Sequence, residues 1–446
     1  MYIRSIANKM ILKISFLAIG LLLNSFGIAQ NTLSQAEALE IMLANNYGIK
    51  VAKNNRLIAE NNTSKELNGY LPQVNASAGA NSNLGGSHQQ FSSGAEADVK
   101  NAFTWGSNAS VTANYTLIDK RRDVNLEQLK ELVKLSDFEI RQTIELNLLQ
   151  LFNAYYEVAS LTENLSVQTQ TMDLSRQRLL RAQYRYDFGQ GLGLDVLNAE
   201  VDIQRDSINF LNIKQGLANS KRNLNVILGR AVKTEFEVNT EVNYTDNLSL
   251  ENLLSAVHTK NIEVQITDKN LEIDNYDLKI LDAERKPTLS SSASYSFSYQ
   301  NNAAEAFITS SNSRGFGLGL NLAWNIFDGG IRKVRKQNTN IAIQSRRISR
   351  QQLLEELERD ITNAWESYQN ALLILEVENS SLATNQLNFE RTEELYKSGQ
   401  LNSVEFRQAQ LNLLNAAISY NTAKYDAKVI EIQLLQLSGD ILDQDF

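Results

Sequence analysis

The chain has 446 residues, 43% hydrophobic and 21% charged, with 21 Gly, 2 Pro and no Cys, which excludes a disordered tail or a collagen-like fibre and leaves room for a substantial core. Lys and Arg number 43 against 51 Asp and Glu, and the resulting net charge of −8 argues against a nucleic-acid phosphate binder. Without cysteine there is no disulfide framework, thiolate nucleophile, cysteine zinc site or lipid-modified N-terminal cysteine, and only His88 and His258 remain as imidazole ligands or bases.

The N-terminus reads as a targeting segment. Arg4, Lys9 and Lys13 precede the apolar run from Ile14 to Leu23, and Gly27-Ile28-Ala29 supplies the small residues a signal peptidase needs, so cleavage is expected after Ala29. The run is about 10 residues, half of what a membrane-spanning helix requires. No later stretch is longer, so any membrane passage of the mature chain is by strands.

The remainder is one unit written twice. Leu33-Ser34 pairs with Leu248-Ser249, and Tyr70-Leu71-Pro72 with Arg285-Lys286-Pro287, at an offset of 215 residues. Further on the offset becomes 210, matching Asn153-Ala154-Tyr155 to Asn363-Ala364-Trp365, Gly189 to Gly399, and Asp195 to Glu405. Such a period is a duplicated domain, too long for a solenoid repeat. The organisation is a first repeat over 30–229, a connecting segment over 230–247 and a second repeat over 248–446.

In chain order, each repeat opens with a helical stretch, 34–70 or 249–285, which ends at its proline. Residues 73–81 then form a weakly alternating strand. After a Gly/Ser-rich connection over 82–102, residues 103–118 alternate Phe103, Trp105, Ala109, Val111, Ala113, Tyr115 and Leu117 with Thr, Gly, Asn and Ser. The second repeat places strands over 288–299 and 315–327, joined by a second outward loop over 300–314. From about 120 to 187, and again from 331 to 397, proline is absent and apolar residues recur at threes and fours, predicting coiled-coil helices of about 100 Å. Turns at Phe188-Gly189-Gln190-Gly191 and Ser398-Gly399-Gln400 reverse the chain. A second long helix then returns, completing helical hairpins over about 120–228 and 331–437.

Strands of about ten residues with one apolar face, and with Trp105, Tyr115, Tyr295 and Trp324 as interfacial aromatics, suit a tilted membrane crossing better than a soluble sheet. Four strands cannot close a barrel, and an open edge cannot face lipid, so several chains must share one barrel.

Together these features resemble the TolC-like outer membrane efflux protein family over nearly the whole mature chain. The carrying stretches are Tyr186-Asp187-Phe188-Gly189, Leu194-Asp195-Val196-Leu197-Asn198-Ala199-Glu200 and Trp324-Asn325-Ile326-Phe327-Asp328-Gly329-Gly330-Ile331-Arg332. In the first repeat the equivalent Tyr115–Arg122 segment lacks the double glycine. The resemblance implies a mixed α/β membrane protein. The resemblance further implies a non-enzymatic homotrimer whose chains give four strands each to a shared twelve-stranded outer-membrane barrel, continued by a helical tunnel across the periplasm. It also implies a periplasmic adaptor protein and an inner-membrane transporter as partners, contact with outer-membrane lipid, no cofactor, and service in drug efflux or one-step protein secretion.

Carried over position by position, Asp195 and Glu405 match the acidic gate site after each tip turn. Gln408 and Asn198 stand where a second acidic residue is common, leaving the double carboxylate ring incomplete. An acid in a first helical turn also simply complements the helix dipole. Gly189 and Gly399 permit the reversal; the resemblance adds adaptor contact there, with Leu194 and Val404 as adjoining apolar contacts, and packing within the tip explains these two equally well. Pro72, Asp119, Pro287, Asp328, Gly329 and Gly330 mark the strand-to-helix junctions, the two aspartates as N-caps. Gly315-x-Gly317-x-Gly319 lies inside a strand and opens no helix, so it is not a nucleotide motif. His88 and His258 lack ligand partners at metal spacing. The competing reading is a secreted or surface structural coiled-coil protein whose strands form a soluble collar.

Overall fold

In the computed structural model, residues 32–245, 247–302 and 308–443 are described; the expected signal segment, residues 1–29, lies outside them. The strands are β1 (Thr32–Leu33), β2 (Gln73–Gln90), β3 (Glu96–Ile118), β4 (Glu237–Val238), β5 (Thr288–Asn301) and β6 (Ser310–Ala323). The helices are α1 (Gln35–Asn45), α2 (Tyr47–Asn62), α3 (Lys120–Asp187), α4 (Gly193–Ile227), α5 (Leu250–Lys260), α6 (Ile262–Ala283), α7 (Ile331–Lys397) and α8 (Ser403–Ser438). No described helix is long and apolar enough to cross a membrane.

The compact units are not the two repeats. One unit takes the chain up to Val51, Arg141–Ile262 and Leu354 onward, and the other takes Ala52–Ile140 and Glu263–Leu353, so each draws on both repeats.

The second unit holds one antiparallel sheet in the order β2-β3-β5-β6, in which β3 and β5 join the two repeats' hairpins. Residues 82–90 and 96–102, expected as a loop, instead continue the β2–β3 ladder to Gln90↔Glu96, with a register shift between Gly85 and Ser87. Ladder hydrogen bonds are made by the backbone, so pairing continues where side-chain alternation has stopped. The reversal is confined to Phe91–Ala95, where Gly94 takes φ +82. The expected loop over 300–314 shortens likewise, because β5 runs to Asn301 and β6 starts at Ser310. At its other end β6 stops at Ala323 rather than 327. Its last pair is Thr288↔Ala323, and the next partner would be Pro287, which has no N–H to donate.

In the first unit the buried core gathers Phe152, Tyr155, Tyr156, Leu224, Val238, Tyr425 and Ile432. The parallel pair β1–β4 brings part of the connecting segment into this core. Tyr155 ties the pair together, its hydroxyl donating to the Leu33 carbonyl at 2.8 Å and accepting from the Asn239 amide at 3.1 Å.

The opening stretches, expected as single helices over 34–70 and 249–285, each break once at an asparagine, and the first ends at Asn62, with turns over 63–69 in place of its last expected residues. Asn46 (ψ 131°) and Asn261 (ψ 127°) leave helical geometry, and their side-chain amides donate to the Ile227 and Leu437 carbonyls, both at 2.8 Å. These tertiary bonds hold each break, and at the first one the Asn46 Oδ1 also accepts from the Ile49 amide as α2 begins. Two residues beyond those carbonyls stand Gly229 (φ +67) and Gly439 (φ +88), where an added Cβ would lie 2.4 Å from the Asn45 carbonyl oxygen or 2.5 Å from the Lys260 carbonyl carbon.

Both φ and backbone contact therefore demand glycine. Gly229→Ala and Gly439→Ala should each cost about 2 kcal/mol or more, read as a lowered urea midpoint. An unchanged midpoint in both would contradict the packing described.

Candidate functional site

Register turns the β-sheet into a two-faced sheet. Val74, Val111, Tyr295 and Phe316 fall on one face, with Ala76↔Val111↔Tyr295↔Phe316 aligned across all four strands. The other face is hydroxyl, amide and glycine, as in Ser77↔Ser110↔Ser296↔Gly315. Built Cβ atoms at Gly317 and Gly319 would approach the Ser294 and Ser292 hydroxyls at 3.1 and 2.9 Å, so glycine leaves the polar face open there. The apolar face is solvent-exposed in the isolated chain at Phe316, Leu318, Leu320 and Leu322.

Of the interfacial aromatics, Trp105 packs on Tyr299 with ring centroids 5.1 Å apart. Tyr115 lies near the junction end of β3, whereas Tyr295 sits midway along β5. Trp324 follows β6 and its indole donates to the Arg285 carbonyl at 3.0 Å.

At the junctions Pro72 and Pro287 each immediately precede a strand. Asp119 accepts from the Arg121 amide at 3.0 Å and opens α3. Asp328 accepts from the Gly330 and Arg332 amides, both at 3.0 Å, while Gly329 and Gly330 take φ +69 and +89. Desolvation opposes ionisation of Asp328, but those amides and the Arg332 charge outweigh it and hold the carboxyl below the usual carboxylate range.

At the tips, Gly189 and Gly399 take φ +71 and +80, and Gln190 and Gln400 donate back to the Arg185 and Leu395 carbonyls at 2.7 and 2.9 Å. This is a Schellman closure. Asp195, Glu405 and Gly399 line one cleft of about 370 Å³ together with Arg185. Glu405 completes a capping box, accepting from the Asn402 amide at 3.4 Å. No side chain caps α4, in whose first turn Asp195 stands. Gln408 is outside the cleft lining and donates to Asn412. Leu194 and Val404 are more than three-fifths exposed, and so are Phe188, expected only as part of the turn, and Leu192, which no sequence pattern marks.

The residues it missed altogether are buried and polar. On α4, the Asp206 carboxylate accepts both Arg407 Nη atoms at 2.8 and 2.7 Å and the Ser175 hydroxyl at 2.6 Å. Gln410 donates to the Thr171 carbonyl at 2.8 Å, and Arg178 donates to Asp202. One network thereby joins α3, α4 and α8. The periodicity of each helix carries no sign of it, since Asp206 and Arg407 are 201 residues apart.

The sequence profile described as Outer membrane efflux protein matches residues 38–230 and again 253–440, and the chain belongs to that family. Outer membrane protein TolC of Vibrio cholerae serotype O1 is 20% identical over 382 residues, 84% of this chain and 83% of that protein. The fold is similar to the Campylobacter jejuni CmeC outer membrane channel, with a TM-score of 0.70 at 14% identity over 92% of this chain and 87% of that one. It is also similar to the outer membrane protein VceC from Vibrio cholerae, with a TM-score of 0.65 at 14% identity over 91% and 96% of the respective chains. The chain is accordingly an outer-membrane efflux channel protein rather than an enzyme.

Removing one partner of a buried ion pair strands the other charge, so Asp206→Ala should destabilise by about 3 kcal/mol, and Asp206→Leu with Arg407→Leu should recover most of that. Urea unfolding of the purified protein measures both. A double variant no better than the single would contradict the pairing.

Proposed function

We propose that three copies of this chain form the passive exit duct of a tripartite efflux or type I secretion system. Each sheet joins its neighbours edge to edge into one outer-membrane barrel, and the helical hairpins build the tunnel through the periplasm. The observation that carries this reading is the register-aligned apolar face on a sheet with two open edges. Apolar side chains suit the lipid side, the Ser/Thr/Asn/Gly face suits a wet lumen, and edge pairing between copies satisfies the backbone.

In this reading the signal segment is removed after Ala29, and the absence of cysteine leaves no lipid anchor. Pro72, Pro287 and the aspartate caps with Gly329 and Gly330 end the barrel where the helices begin. Trp105, Tyr115 and Trp324 lie toward the membrane surfaces. Asp195 and Glu405 face the periplasmic entrance, where carboxylates of neighbouring copies would gather cations, with Gln408 lending polarity but no charge. The exposed tip residues Leu194 and Val404, with Phe188 and Leu192, present an apolar surface for a periplasmic adaptor that connects to an inner-membrane transporter. Energy for export comes from that transporter.

Light scattering on the detergent-extracted protein, corrected for bound detergent, should give a three-chain particle; a monomer in the soluble fraction would favour the structural coiled-coil reading. Gly399 combines φ +80 with open space around its Cβ position, so Gly399→Trp should distort the tip while leaving the sheet intact. It should abolish export and adaptor co-purification with unchanged outer-membrane content. Wild-type export from that variant would overturn the docking role.

A further inference from the structure

The strand-to-helix junctions concentrate positive charge. Helix N-termini favour anions, each worth roughly 0.3–1 kcal/mol, and Asp119, Asp123 and Asp328 supply them, yet α3 also begins Lys120-Arg121-Arg122, and α7 carries Arg332, Lys333, Arg335 and Lys336 with no acid in its own first turn. Segments 119–123, 282–286 and 328–336 together hold nine basic side chains against five acidic, in a chain whose net charge is −8.

Part of this charge is used internally. Arg122 donates to the Gly69 and Thr116 carbonyls at 2.8 and 2.9 Å and lies over the Tyr70 ring. Arg332 pairs with Asp328, and Lys336 with Asp282. Arg121, Arg285, Lys286, Lys333 and Arg335 have no side-chain partner among the described residues. Three of them, Arg121, Lys286 and Arg335, line one cleft of about 400 Å³ with Thr288 and Asn325. Arg332 lines it as well, and with Asp119, Asp328 and Glu284 the lining carries four cations against three carboxylates, a net charge of +1. Beside the cleft, Trp324, Ile326, Phe327 and Ile331 are 58%, 79%, 83% and 56% exposed, continuing the apolar side chains of β6.

We infer that this cleft binds the phosphate headgroup of an anionic phospholipid in the leaflet facing the periplasm. The cations meet the phosphate, and the apolar strip from Leu320 to Ile326 receives the acyl chains. Exposed apolar surface joined to a net positive cleft is the complement of an anionic lipid and not of a free anion, which has no use for the strip. Juxtamembrane basic residues bind anionic lipid surfaces on the same grounds. The inference rests on the membrane-spanning reading proposed above.

The test uses the trimer carrying Trp105→Phe and Trp365→Phe, so that Trp324 is the remaining indole. It is reconstituted in phosphatidylcholine vesicles containing brominated phosphatidylglycerol or brominated phosphatidylcholine. Quenching of Trp324 should show about a fivefold preference for phosphatidylglycerol, the equivalent of about 1 kcal/mol for a single effective basic side chain at a membrane surface. Arg121→Gln/Lys286→Gln/Arg335→Gln should abolish the preference, and Arg347→Gln, outside the cleft, should keep it. Equal quenching by both lipids would overturn the lipid site while leaving the membrane reading standing. No quenching by either would overturn the membrane reading itself. Loss of the preference in excess inorganic phosphate would reassign the cleft to a free anion and overturn the lipid occupant.

Discussion

An open sheet edge carries a row of backbone N–H and C=O groups, and in hydrocarbon each unmade hydrogen bond costs several kcal/mol. Here four strands expose an apolar face while β2 and β6 remain at the edges. Such a sheet is unstable alone in lipid and poorly soluble in water. Closure with other copies of the same sheet resolves both problems at once, and the polar inner face then becomes the wall of a channel. The rest of the molecule follows from this requirement. The prolines before β2 and β5 end the ladder, and the capped helices α3 and α7 take over where strand pairing stops.

Duplication supplies the parts in matched pairs. Asn46 with Gly229 in one repeat has its counterpart in Asn261 with Gly439 in the other, with the same donor–carbonyl distance of 2.8 Å. The compact units nevertheless mix the repeats, because β3 pairs with β5 and because Arg407 of the second repeat is buried against Asp206 of the first. Neither repeat buries its own surfaces fully. Asymmetry enters in the strands, where β2 and β3 have 18 and 23 residues and β5 and β6 have 14 each, and at the junctions, where only the second repeat has the double glycine.

Much of the architecture was legible because it rests on local rules. Alternation in 103–117 and 288–299 showed strands with one apolar face, and the lack of proline across 120–187 and 331–397 showed long helices. The polar ladder at 82–90 was hidden, because backbone pairing needs no side-chain pattern. The helix breaks at Asn46 and Asn261 were hidden as well, since the carbonyls that hold them lie 181 and 176 residues away. At the tips, glycine and acid positions could be read off the repeat, but the exposure of Phe188 and Leu192 could not, because an apolar residue near a turn packs inward as readily as outward. The Arg407–Asp206 network left no trace in either helix's periodicity.

In a shared barrel, β2 of one copy pairs with β6 of the next and the ring closes at three. Because the chain has no cysteine, engineered pairs report without background. A cysteine fixed at Asn321 on β6 and a second walked along β2 from Gln73 to Asn83 should give, in intact outer membranes, oxidised species of two and three chains and none larger. The yield should peak at one register of β2. Absence of any cross-link, or an open ladder beyond three chains, would contradict the shared barrel.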